Sequence, residues 1–227
     1  METLDQNPKT HCIRCGECCL RSSPSLHLRD LPLLEKDLIR RSALFTIRRG
    51  EWVWDNIGRR LAVADREMIK IKGVDGDRGA CIFYDDTLKA CTIYPHRPAQ
   101  CGVLKCWDTA EFMEVYRAPK LARADIFPAG PLTGLVAEHE RRCGYEGLEN
   151  LVKRIQREGE DAVKAVLEVL RFDFHIRPFV SEKLGIDADE MDFIFGRPMI
   201  QTISRFGLKV ILEPDGSCFL TTITGDR

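Results

Sequence analysis

Excess charge of either sign is missing from this sequence. Its 227 residues carry 34 Lys and Arg against 35 Asp and Glu, a formal net charge of −1. No basic footprint supports binding to nucleic acid, and no polybasic run supports a lipid anchor. No stretch approaches the roughly 20 apolar residues that a membrane helix takes. The opening METLDQNPKT lacks a basic run followed by an apolar one, so no signal peptide is expected and the compartment is expected to be cytoplasmic. The hydrolase motif GxSxG, the metalloprotease motif HExxH and the P-loop are absent. No linker rich in Gly, Ser or Pro divides the chain, and it has no internal repeat. Hydrophobic residues at 44% and charged residues at 30% suit a folded chain with a sizeable core.

Cysteine is what the sequence has in excess, with ten residues. In a reducing compartment, clustered cysteines point to metal or redox chemistry rather than to structural disulfides. Eight of them fall in two groups: Cys12, Cys15, Cys18 and Cys19 in the run CIRCGECC, then Cys81, Cys91, Cys101 and Cys106. Two-residue gaps let a curling backbone turn neighbouring thiolates toward one centre, as in zinc knuckles and iron–sulfur loops. Gly16 eases that turn. The ferredoxin run C-x2-C-x2-C-x3-C-P is matched only through Cys18, so full ligation has to recruit sulfur from the second group. Cys143 and Cys218 stand alone and are expected to be buried apolar residues. His11 and His96 flank the groups as polar neighbours, Asp85-Asp86 reads as turn chemistry, and Arg97 is placed to offset thiolate charge.

Geometry restricts how the second group combines. A symmetric hairpin over 81–94 sets Cys91 opposite Tyr84 and leaves Cys81 about 10 Å away on the other face. One zinc with Zn–S bonds of about 2.3 Å does not span that distance. On one helix, Cys101 and Cys106 point about 140° apart. Either the hairpin is irregular or the thiols serve different centres. Eight thiols suffice for two four-thiolate sites, or for one cluster with spare thiols.

The fold class expected is α+β. An irregular, metal-organised cysteine-rich half with a short hairpin (1–110) precedes a mainly helical half (111–227) that ends in a β-hairpin. Asp30-Leu31-Pro32 reads as a helix start, with the helix running to about Ala43. Met68 to Ile71 reads as a strand, CIFY (81–84) and CTIY (91–94) as a strand pair, and Arg97-Pro98 as the lead into a helix to about Arg117. Residues 118–134 read as a mixed Pro/Gly segment. Helices are expected over about 147–158 and 160–174, with a short one at Met191 to Phe195 capped by Asp187 or Asp189. The tail LKVILEPDGSCFLTTI reads as a hairpin turning at Pro214-Asp215-Gly216.

The combination of CIRCGECC, a later Cys81 and CTIYPHRPAQC resembles the CxxCxxCC cysteine-cluster family of zinc- or iron-chelating proteins, sometimes called YkgJ-like. The match covers residues 12 to about 106. The resemblance implies metal ligands at Cys12, Cys15, Cys18, Cys19, Cys81, Cys91 and Cys101, with Cys106 near a further family cysteine. Flagellin lysine methylases carry a similar motif and use S-adenosylmethionine, but no loop for that cofactor is identifiable here. The expected function is an iron–sulfur protein, with a [4Fe-4S] cluster and a protein or redox partner. A structural zinc module is the alternative, and an S-adenosylmethionine-dependent lysine methylase-like enzyme a further one.

Overall fold

The computed structural model describes residues 10–75, 79–212 and 218–223. It is an α+β arrangement of small antiparallel hairpins followed by helices. The short helices α1 (Glu17–Arg21) and α2 (Leu31–Glu35) come first. Strands β1 (Leu44–Ile47), β2 (Trp52–Asp55), β3 (Arg60–Val63) and β4 (Met68–Ile71) form two ladders, β1 with β4 and β2 with β3. Strands β5 (Tyr84–Asp85) and β6 (Ala90–Cys91) make a minimal third. Helices α3 (Ala99–Val103), α4 (Ala110–Arg117), α5 (Pro131–Cys143), α6 (Tyr145–Glu158) and α7 (Glu160–Leu184) follow. Short α8 (Met191–Phe195) and α9 (Met199–Thr202) lead to the hairpin β7 (Leu208–Leu212) and β8 (Cys218–Thr222).

The main core joins the cysteine-rich half to the helices. Leu26, Leu44, Ile69 and Ile71 from the first half pack with Ile176, Val180, Phe193 and Phe195 from the second. The β1 strand is buried at all four residues, and Thr46 Oγ1 donates to the Phe193 carbonyl at 2.6 Å. Each fully buried Phe or Leu contributes about 1.5–3 kcal/mol of transfer free energy. A second cluster around Leu148, Val166, Met199 and Ile203 holds α6, α7 and α9 together.

Buried charge reinforces this junction. Arg123 donates to Glu140 at 2.7 Å, to the Ile194 carbonyl at 2.6 Å and through Nε to Glu67 at 3.0 Å, tying the strand region to α5 and α8. Asp173 accepts from His139 Nε2 at 2.8 Å, Arg177 at 2.9 Å and the Met199 amide at 2.8 Å.

Several sequence expectations are corrected. The helix begun at Leu31 stops at Glu35, because Asp37 adopts φ +51° and Leu38 and Ile39 fold back to the Leu33 carbonyl. The stretch expected to be one helix to Arg117 is two, α3 and α4, separated by extended Leu104 and the Lys105–Asp108 turn. CIFY and CTIY contribute only one ladder residue pair beyond Asp85–Ala90. Helix α7 runs ten residues past Phe174 and through Pro178, since its buried face continues through Asp173, Ile176, Arg177 and Val180. Within the 118–134 segment, α5 begins at Pro131, a favoured first helical residue. The short helix at Met191 stands, but its expected cap does not: Asp187 accepts from the Asp189 amide and caps the 3-10 turn Ala188–Glu190 just before it, and α8 has no side-chain cap. The 208–222 hairpin also stands, and its proposed turn at 214–216 lies outside the described residues.

Candidate metal centre

The first cysteine run folds because Gly16 sits at φ +78°. It opens α1, whose first turn carries Cys18 and Cys19, and the Leu20 amide donates to the Gly16 carbonyl at 2.9 Å. The left-handed conformation is costly for other residues. A second constraint acts on the same atom: a Cβ on Gly16 would lie 2.5 Å from the Tyr84 ring. Tyr84 pairs with Cys91 in the β5–β6 ladder, as a hairpin over 81–94 requires.

The hairpin is nevertheless irregular beyond that pair. The chain turns at Cys81–Tyr84, with the Tyr84 amide on the Cys81 carbonyl at 2.8 Å. The Cys81 amide donates to the Cys19 carbonyl, also at 2.8 Å, so α1 is docked directly on the second group. Cys81 is therefore not on a regular strand of the ladder, and charge on Cys91 is among the influences that raise its thiol.

Five thiols therefore share one region. The Cys18 and Cys19 sulfurs lie 4.0 Å apart. Cys19 senses charge on Cys18, Cys101 and Cys91, and Cys101 senses Cys81, Cys18 and Cys91. Hydrogen bonding within the Cys18–Cys19 pair lowers Cys18, so the pair gives up its first proton below the ordinary thiol range. The bond with Cys18 raises Cys19, aided by burial. Burial raises Cys101 and Cys81, with thiolate repulsion adding to it. Arg97 opposes that repulsion at Cys18 and Cys101; its guanidinium lies 4.1 Å from the Tyr94 ring centre and donates to the Cys101 carbonyl at 3.3 Å. Arg14 reaches the same ring at 4.2 Å.

Cys12, Cys15 and Cys106 are exposed, as is Cys18. Cys106 follows the end of α3, which carries Cys101, so the two do not share a helix. Cys143 is fully buried in the second core cluster, its thiol raised to about 12 by burial. His11 is exposed beside Thr10, and His96 closes the turn Tyr94–His96. Asp85 accepts from the Thr87 and Leu88 amides at 2.8 Å, which is turn chemistry. Among the described residues, no three His, Cys, Asp or Glu side chains close on a single point.

Sequence reading missed the residues that seat Cys101. Asp30 looks like the cap of α2 but makes no side-chain bond there. Its carboxylate accepts instead from the His27 amide and the Ala99 amide, both at 2.8 Å. Gln100 and His27 are buried beside it. No local pattern signals bonds across about 70 residues of chain.

A donor set of sulfur alone suits zinc, Cu(I) or an iron–sulfur cluster, and clustered thiolates whose ionisation is opposed by mutual repulsion are relieved by a bound cation. The chemistry of the donor set thus suits a thiolate-bound metal, while the side chains of the described residues do not converge on one point. Comparison with known proteins agrees on that class. Residues 11–118 match the CxxCxxCC family model, described as a "putative zinc- or iron-chelating domain". The match covers a little under half of the chain, and metal chelation is the property that the domain family supports. Neither the curated proteins nor the solved structures give a match.

Proposed function

We propose that this chain holds a [4Fe-4S] cluster and serves a protein partner in electron transfer. The observation that carries the reading is the gathering of Cys18, Cys19, Cys81, Cys91 and Cys101 from α1, a turn, β6 and α3. A cubane spans several ångströms, so it accepts ligands from separate segments more readily than a single ion does. Four ligands come from these five thiols, and Cys12, Cys15 and Cys106 are the remaining candidates. When bound, such a cluster supplies one-electron redox chemistry. The chain's own contribution is to hold thiolates in place through α1 and α3 and to offset their charge with Arg97.

One observation favours a second reading. Cys81, Cys91, Cys101 and one thiol of the Cys18–Cys19 pair make four, the number that closes a structural zinc site. Such a site has no open position, and its binding energy is folding energy.

The ligand assignment is tested by Cys91→Ser and Cys101→Ser, with Cys143→Ser as comparison. Metal per chain is expected to collapse in the first two and stay at the wild-type level in the third. Full metal content in Cys101→Ser would sink the assignment.

A further inference from the structure

Around Cys101 lies a closed set of buried hydrogen bonds that no thiol belongs to. The Gln100 Oε1 accepts from the Ser25 amide at 3.0 Å. Its Nε2 lies 3.0 Å from His27 Nε2, and His27 Nδ1 lies 3.0 Å from the Pro119 carbonyl. A carbonyl only accepts, so Nδ1 carries the proton. His27 Nε2 is then an acceptor, and the Gln100 amide group donates to it. That fixes one orientation for Gln100, with its oxygen on Ser25, as found. Asp30 completes the set, holding the His27 and Ala99 amides on its two oxygens. His27, Asp30, Gln100 and Ser25 are all at most 8% exposed.

Segment 25–30 is itself fixed to the core. The Leu26 amide donates to Ile69 in β4, and the Leu121 amide donates to Leu26. The two residues immediately before Cys101 are thus clamped to a rigid element, and Arg97 Nε donates to the Cys101 carbonyl. A satisfied buried network of this kind selects one arrangement, because any rotation leaves a buried donor or acceptor unpaired. A backbone held this way presents the following side chain in one direction.

We infer that His27, Asp30 and Gln100 are positioning residues that fix the Cys101 thiol for metal binding. The inference rests on the thiolate metal centre proposed above. It assigns to these three a function beyond folding: they set the retention of the metal.

Loss of metal from the protein, purified without oxygen, is followed in EDTA by elemental analysis of the protein fraction. Gln100→Ala is compared with wild type and with Ile203→Ala, which weakens the second core cluster away from the site. Gln100→Ala is expected to release metal about tenfold or more faster, in line with the effect of removing groups that orient ligands. Ile203→Ala is expected to lower the thermal midpoint but release metal at close to the wild-type rate. Asp30→Asn keeps part of the clamp, should fall between wild type and Gln100→Ala, and decides the matter alone if Gln100→Ala does not fold. Wild-type retention in the clamp variants, or equal acceleration in Ile203→Ala, overturns the inference. Absence of metal from the wild type instead removes the metal centre itself, and that result is seen before any variant is made.

Discussion

The ring of Tyr84 occupies the space where a side chain on Gly16 would begin, 2.5 Å from that position. One contact thereby joins the turn that opens the first cysteine run to the ladder that carries Cys91. Gly16→Ala is expected to destabilise by at least the roughly 1–2 kcal/mol cost of a left-handed alanine, with the clash added. Urea midpoints of Gly16→Ala, Tyr84→Ala and the double variant test the contact. The double variant should be more stable than the sum of the singles allows, and strict additivity would show that the two do not meet.

Arg123 is buried between two carboxylates and the Ile194 carbonyl. Arg123→Ala leaves Glu67 and Glu140 without it, and stability should fall by about 3–5 kcal/mol. Chemical denaturation measures this directly; a loss under about 1 kcal/mol would mean the ion pairs are solvated like surface ones.

Burial lowers the His139 pKa against the opposing pull of Asp173, and burial likewise lowers His27. The unfolded chain therefore takes up protons on these residues near pH 6.5 while the folded chain does not. Their stabilisation is complete above pH 6.5 and declines as pH falls below it, until the folded pKa is reached. Asp173 behaves differently. Burial would raise it, but bonds from His139, Arg177 and the Met199 amide prevail and lower it to about 2. Its contribution is present above its unfolded value, about 3.9, and is lost as pH falls through about 2. Urea midpoints between pH 8 and pH 5 should decrease with acid, and His139→Gln should flatten the profile. An unchanged slope in that variant would place the proton uptake elsewhere.

Stripping the metal is expected to loosen the cysteine-rich region more than α6 and α7. Those helices pack through Leu148, Val166 and Leu170, which need no thiol. Hydrogen exchange on chelator-treated protein checks this: protection should drop around Cys81–Cys101 and persist in α7. Uniform loss throughout would show that the metal supports the entire fold.

The sequence makes some features of this molecule legible and hides others, for physical reasons. The 191–195 helix and the paired strands of the terminal hairpin follow from short apolar and β-rich runs that act within a few positions. The Cys91–Tyr84 pairing follows from counting across a hairpin. The sequence reading ends helix α7 near Phe174, short of Pro178, a residue type that usually breaks helices, whereas in the fold Asp173 and Arg177 pair with each other, stay buried, and the helix runs on. β1, β2 and β3 are absent from the strand expectations, although Leu44–Ile47 and Trp52–Asp55 are rich in aromatic and β-branched residues. Asp30 carries the signature of a local cap, yet its partners are the His27 and Ala99 amides, and nothing local records the second. The thiol spacing identified the candidate ligands, while the gathering of five of them depends on the turn at Cys81–Tyr84.

Iron, zinc and acid-labile sulfide, measured on protein purified without oxygen together with its visible spectrum, test the central claim most directly. The expected result is about four iron and equal sulfide per chain with a broad visible absorption. One or two zinc ions with no sulfide and no colour would contradict the iron–sulfur assignment and leave a structural zinc module in its place.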